Sequence, residues 1–133
     1  MTRFVIDPAV LLHIATADLP LHPAHRLVAP NPLRTEALAL LLPAARDGRL
    51  DDAEVSALHD RMTSVRIRLL GDRVSRATAW RMAREHGWDG LRDAEYLAVT
   101  RLQADALVTL DPDLARLADG IVPLAPVEAL TAG

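Results

Sequence analysis

Asp7, Glu36, Asp93 and Asp111 are spread along the chain, and their chemistry depends on whether a fold brings them together. Converging carboxylates repel one another, and an uncompensated cluster raises the pKa values of its members. A divalent cation removes that penalty. Ligands that are all oxygen, with no cysteine and no obligatory histidine, suit Mg²⁺ or Mn²⁺. A metal held in this way activates water and neutralises charge developing on a phosphodiester. Asp113, two residues beyond Asp111, is a further candidate ligand.

The same sequence shows the elements that must position these acids. Arg3–Ile6 is a short apolar run that reads as a buried strand. Asp7-Pro8 ends it with an N-cap and a proline at the first helical position, and the helix runs on to Ala15. Leu27–Ala29 is a second strand. Asn31-Pro32 opens a helix over Leu33–Leu42 that Pro43 must kink or end. Asp51–Glu54 resembles a capping box, followed by Val55, Leu58 and Met62 as an apolar stripe. Arg66–Leu70 reads as a strand, Arg73–His86 as a helix stopped by Gly87, Leu91–Gln103 as a helix and Ala106–Leu110 as a strand. Asp111-Pro112 repeats the cap-plus-proline start, and Ile121–Leu124 reads as a short last strand, at an edge because of Pro123. Five short apolar strands alternating with helices imply one α/β domain over residues 1–133. It would have three layers, a mostly parallel five-stranded sheet with helices on both faces.

In open sheets of this kind, sites form beyond the carboxyl ends of the strands, near a switch in strand order. Asp7 and Asp111 each follow a strand there, and Glu36 and Asp93 lie near helix starts. Asp93 shares a helical stripe with Leu97 and Thr100 and so turns toward the packed side, whereas Glu95 falls on another face and reads as solvated. Each acid also has a purely structural reading. Asp7 and Asp111 are natural N-caps, and Glu36, Asp93 and Asp113 are first-turn acids that suit the helix dipole. Capping does not account for an acid at both strand ends together with an inward Asp93.

Composition removes other classes of chemistry. The 133 residues carry a net charge of −3 with no cysteine, and every basic residue is arginine. The missing cysteines exclude a disulfide scaffold, a thiolate zinc site and cysteine catalysis. The missing lysines exclude a P-loop enzyme and Schiff-base chemistry. Phe4, Trp80, Trp88 and Tyr96 are too few for an aromatic RNA-stacking platform. No stretch is long and apolar enough to span a membrane, and Asp7 interrupts any signal-peptide core, so a cytoplasmic location is expected.

The order Val5-Ile-Asp7-Pro-Ala-Val-Leu-Leu, Ala29-Pro30 with Thr35-Glu36-Ala-Leu, Asp93-Ala-Glu-Tyr-Leu-Ala98 and Leu107-Val-Thr-Leu-Asp111 resembles a PIN domain. It is most similar to the VapC-like toxin half of bacterial VapBC toxin–antitoxin pairs, and Leu69–Arg76 also looks like that subfamily. The resemblance spans essentially the whole chain. It implies Mg²⁺- or Mn²⁺-dependent endoribonuclease activity, with Asp7, Glu36, Asp93 and Asp111 as the four acids, Asp113 as a supplement and Thr109 as the hydroxyl near the last acid. It further implies an RNA substrate, a homodimer and a cognate antitoxin that covers the acidic site. One departure is Ala9, where such proteins often carry Ser or Thr.

Charge is unevenly distributed. Residues 61–84 hold seven arginines and one acid, a local +6, while the rest carries −9. Along the helix from Arg73, residues 73, 76, 77, 80 and 84 share one stripe, so Arg73 and Arg76 are candidate contacts for RNA or antitoxin. Trp80 reads as packed at the domain edge beneath arginine stems. Arg34, near Glu36, either faces phosphate or lies on the helix surface. His22 and His25 share a proline-rich loop without other ligands and read as surface residues. Two further readings stand beside the ribonuclease: a non-catalytic PIN-like protein-binding module, which Ala9 leaves room for, and phosphoryl transfer through Asp111-Pro-Asp113. The latter ordinarily needs a lysine.

Overall fold

β1 (Arg3–Ile6) is buried from Phe4 onward because it lies inside the sheet and is covered on both faces. The computed structural model describes all 133 residues. It pairs β1 in parallel with β2 (Arg26–Pro30) on one side and with β4 (Ala106–Val108) on the other. β2 in turn pairs in parallel with β3 (Arg68–Leu70), giving the order β3-β2-β1-β4. The chain therefore steps outward twice and then returns to the far side of β1. With crossovers of constant hand, that reversal sends the later helices to the opposite face.

Helix α1 (Pro8–Ala17) links β1 to β2 and packs on α2 (Leu33–Ala39) and α4 (Asp52–Ser64). The short α3 (Leu42–Arg46) follows α2, with Pro43 in its first turn, so the proline ends one helix and starts another. α5 (Arg73–His86) lies against α6 (Arg92–Gln103), and α6 covers β1, β2 and β4. α7 (Pro112–Ala118) and a 3-10 turn (Val127–Leu130) close the chain.

The caps form as their residue types require. Asp7, Asp51 and Asp72 each accept a hydrogen bond from the backbone N–H three residues on. Asp51 and Glu54 complete a reciprocal capping box. Gly87 ends α5 at φ +69°, a left-handed conformation that favours glycine. Of the stripe expected on α4, only Met62 is fully buried, while Val55 and Leu58 are half-buried.

The sheet has four strands, not five. Ile121–Leu124 makes a single parallel bridge, Leu107 with Leu124, and no ladder. The backbone N–H of Leu107 donates to the Pro123 carbonyl and that of Ala125 donates to Leu107, but Pro123 and Pro126 themselves lack N–H groups. Pro123 lacks the N–H that would extend the pairing toward Ile121, and on the other side the chain turns into the 3-10 segment at Val127. Trp80 is also not packed as expected. It is 58% exposed, because the buried face of α5 is formed by Ser75, Thr78, Ala79, Met82 and Ala83.

Candidate active site

Strand order reverses between β1 and β4, and the residues that leave those strands meet there. Asp7 ends β1 and is 1% exposed. One carboxylate oxygen accepts from the Val10 amide at 2.8 Å, and the other accepts from the Thr109 hydroxyl. The same hydroxyl oxygen accepts from the Asp111 amide at 2.9 Å. Thr109 thus ties the end of β1 to the chain leaving β4. It positions the two acids here and does not stand free for a partner. Burial pushes the Asp7 carboxyl up, hydrogen bonds from Thr109 and Val10 pull it down, and the charge of Asp111 adds a further upward push.

A second group of residues comes from α2 and α6. Glu36 accepts a hydrogen bond at 3.0 Å from the hydroxyl of Tyr96, which is buried. Burial and the Glu36 charge hold that phenol far above its ordinary pKa, and Asp7 contributes in the same direction. Tyr96 therefore stays protonated as a donor between the two groups of acids. Arg92, one turn before Tyr96, forms an ion pair with Glu36 through Nε and with Asp93 through Nη1 at 2.6 Å. Burial lowers the Arg92 pKa, but Glu36 and Asp93 more than offset that and keep the guanidinium charged.

Several candidates have other surroundings. The Asp113 side chain is 75% exposed and pairs with Arg116, while its backbone amide donates to the Asp111 carboxylate at 2.9 Å. Arg34 donates to the Val65 carbonyl at 2.9 Å, so it closes the end of α4 and does not project toward phosphate. Arg76 donates to the Gly71 carbonyl at 2.7 Å and, like Arg73, lies exposed on α5. Glu95 is half-buried, not solvated as its helical position suggested. Burial raises its pKa, Arg76 lowers it and Glu36 raises it, which places Glu95 at the rim between the acids and the basic helix.

Arg92 is not among the residues the sequence singles out. The available signal was an arginine four residues before Tyr96, a spacing that puts both side chains on one face of a helix.

As the side chains stand, no three His, Asp or Glu residues are placed to hold a metal ion. The donor chemistry still fits a hard divalent cation, because the site offers only oxygen ligands and contains a buried carboxylate whose pKa is raised beside a second acid. Arg92 now supplies the positive charge between Glu36 and Asp93.

No family model matches the chain, and no curated protein matches it. Among solved structures, PAE2754 from Pyrobaculum aerophilum is similar, with a TM-score of 0.72 and 25% sequence identity, over 98% of this chain and 94% of that one. PAE2754 is a PIN-domain protein, so the present fold is PIN-like.

Proposed function

We propose that this protein is a metal-dependent endoribonuclease and the toxin of a toxin–antitoxin pair. One observation carries the reading: a buried Asp7, joined to Asp111 through Thr109, lies at the strand-order switch of a PIN-like fold. Asp7 and Asp111, with Glu36 and Asp93, would hold Mg²⁺ or Mn²⁺. The bound ion would supply an activated water and neutralise charge on the scissile phosphodiester. Thr109 keeps Asp7 oriented, and Tyr96 does the same for Glu36. Arg73 and Arg76 on α5 would meet the RNA backbone or an antitoxin, and exposed Val74 and Trp80 beside them suit a protein partner or a second copy of the chain.

The test is cleavage of RNA in Mn²⁺ or Mg²⁺ by wild type, Asp7→Asn and Asp93→Asn. Both substitutions are expected to abolish cleavage while the circular dichroism spectrum keeps its α/β shape. Unchanged cleavage would overturn the assignment.

A second reading, a non-catalytic protein-binding module, is favoured by the Arg92 ion pairs, which satisfy Glu36 and Asp93 without a metal. It predicts no divalent-ion binding in calorimetry, together with a stable partner complex.

A further inference from the structure

An arginine-lined cavity lies at the opposite ends of the strands. The acids follow the carboxyl end of β1, and four residues back, about 13 Å along the strand, Arg3 opens it. Arg3 is in register with Arg26, and Val28, two residues beyond Arg26, is in register with Arg68. Registered residues share a face, as do residues two apart in a strand. Arg3, Arg26 and Arg68 therefore project from the same face of the sheet, and Arg66 stands just before β3. These four arginines line one cavity of about 590 Å³, together with His22 and His25.

No acidic residue lines that cavity. None of the four arginines forms an ion pair, although the chain as a whole carries −3. The Arg26 guanidinium is already held in place, donating to the carbonyls of Pro23 at 2.9 Å and His25 at 3.1 Å. Four permanent cations around one cavity repel one another unless an anion joins them. Guanidinium groups present paired donors that match phosphate oxygens. The volume lies in the range of small-molecule sites. Apolar side chains form nearly half of the lining, and the half-buried Leu21 and Ile67 give a ring system a surface to cover.

We propose that this cavity binds a phosphorylated nucleoside, with its phosphates on Arg3, Arg26, Arg66 and Arg68 and its ring system on the apolar wall. The shared chemistry has two sources, a free nucleotide or the phosphorylated end of an RNA strand. The site is separate from the acids and holds whether or not those acids cleave RNA.

The test is calorimetric titration in EDTA, which removes any contribution from a metal at the acid site. The probes are ATP, AMP, inorganic pyrophosphate and a 5′-phosphorylated dinucleotide. The proteins are wild type, an Arg26→Ala/Arg68→Ala double variant, an Arg68→Lys variant and Asp7→Asn. The expected result is ATP binding that weakens by about tenfold or more in the double variant, less in Arg68→Lys, and not at all in Asp7→Asn. Arg26 and Arg68 are both exposed, so the arginine variants are expected to keep the wild-type melting temperature. Tighter binding of ATP than of the dinucleotide identifies a free nucleotide as the ligand, and the reverse identifies an RNA end. Pyrophosphate binding as tight as ATP would overturn the nucleoside part. No binding of any probe, equal binding by the double variant, or loss in Asp7→Asn would overturn the site.

Discussion

Burial raises the pKa of Asp7 and Asp111 pushes it the same way, against hydrogen bonds from Thr109 and the Val10 amide. A carboxyl whose folded pKa exceeds its unfolded value takes up a proton first in the folded state. Its stabilising contribution is complete below the ordinary aspartate range and is lost as pH rises through the raised value. At neutral pH the ionised Asp7 therefore costs stability, as reacting groups held in place for chemistry commonly do. Asp7→Asn, without divalent metal, is expected to melt a few degrees above wild type near neutral pH, and the gap should close on acidification toward about pH 4. A variant that melts below wild type at neutral pH would show the charged form to be a net stabiliser. Arg92 carries the second residue-scale prediction. Its guanidinium bridges Glu36 and Asp93, so Arg92→Ala frees both acids, and Mn²⁺ affinity by calorimetry should rise about tenfold. Unchanged or weaker affinity would mean that Arg92 does not stand in the way of an ion. The places of Asp7 and Asp111 as caps after strands, and of Glu36 and Asp93 in first turns, were legible because strand ends and helix starts are set locally. The Arg92–Glu36 pair was not, since it joins side chains 56 residues apart on two helices and depends on how α6 meets α2.

At the scale of elements, short local rules decided most boundaries. An aspartate before a proline opens both α1 and α7, and the Asp51–Glu54 box opens α4. These were readable because a cap is settled within four residues. Asp51→Ala removes the acceptor for the Glu54 amide at an exposed helix start and should cost about 1 kcal/mol, read as a shift in the denaturation midpoint. No measurable shift would show that α4 is held by packing alone, chiefly through Met62. The fifth strand failed for the complementary reason. Ile121–Leu124 is apolar enough for a strand, but a ladder requires N–H groups at alternating positions; Pro123 removes one, and the chain turns into a 3-10 segment at Val127 before the next can pair. Burial of Asp7, by contrast, follows from β1 lying between two partners, which the sequence implied through its unbroken apolar run.

At the scale of the whole molecule, charge separates surfaces that the net value of −3 conceals. Asp7 and Asp111 lie where the strand order switches, Glu36 and Asp93 form a second group on Arg92, and α5 presents Arg73, Arg76, Arg81 and Arg84 to solvent beside Glu95. A phosphate backbone drawn to α5 would lie alongside the acidic end of the sheet, so the basic helix can hold a strand whose neighbouring phosphodiester meets Asp7 and Asp111. On the ribonuclease reading proposed above, the acids alone would repel RNA and the attraction would come from the arginines, through release of counterions. Charge reversal on α5, Arg73→Glu with Arg76→Glu, should weaken RNA binding to catalytically inactive Asp7→Asn protein at low salt. It should also flatten the dependence of log affinity on log salt by about two contacts' worth. An unchanged salt slope would place the RNA elsewhere and leave α5, with exposed Val74 and Trp80, as a surface for a protein partner.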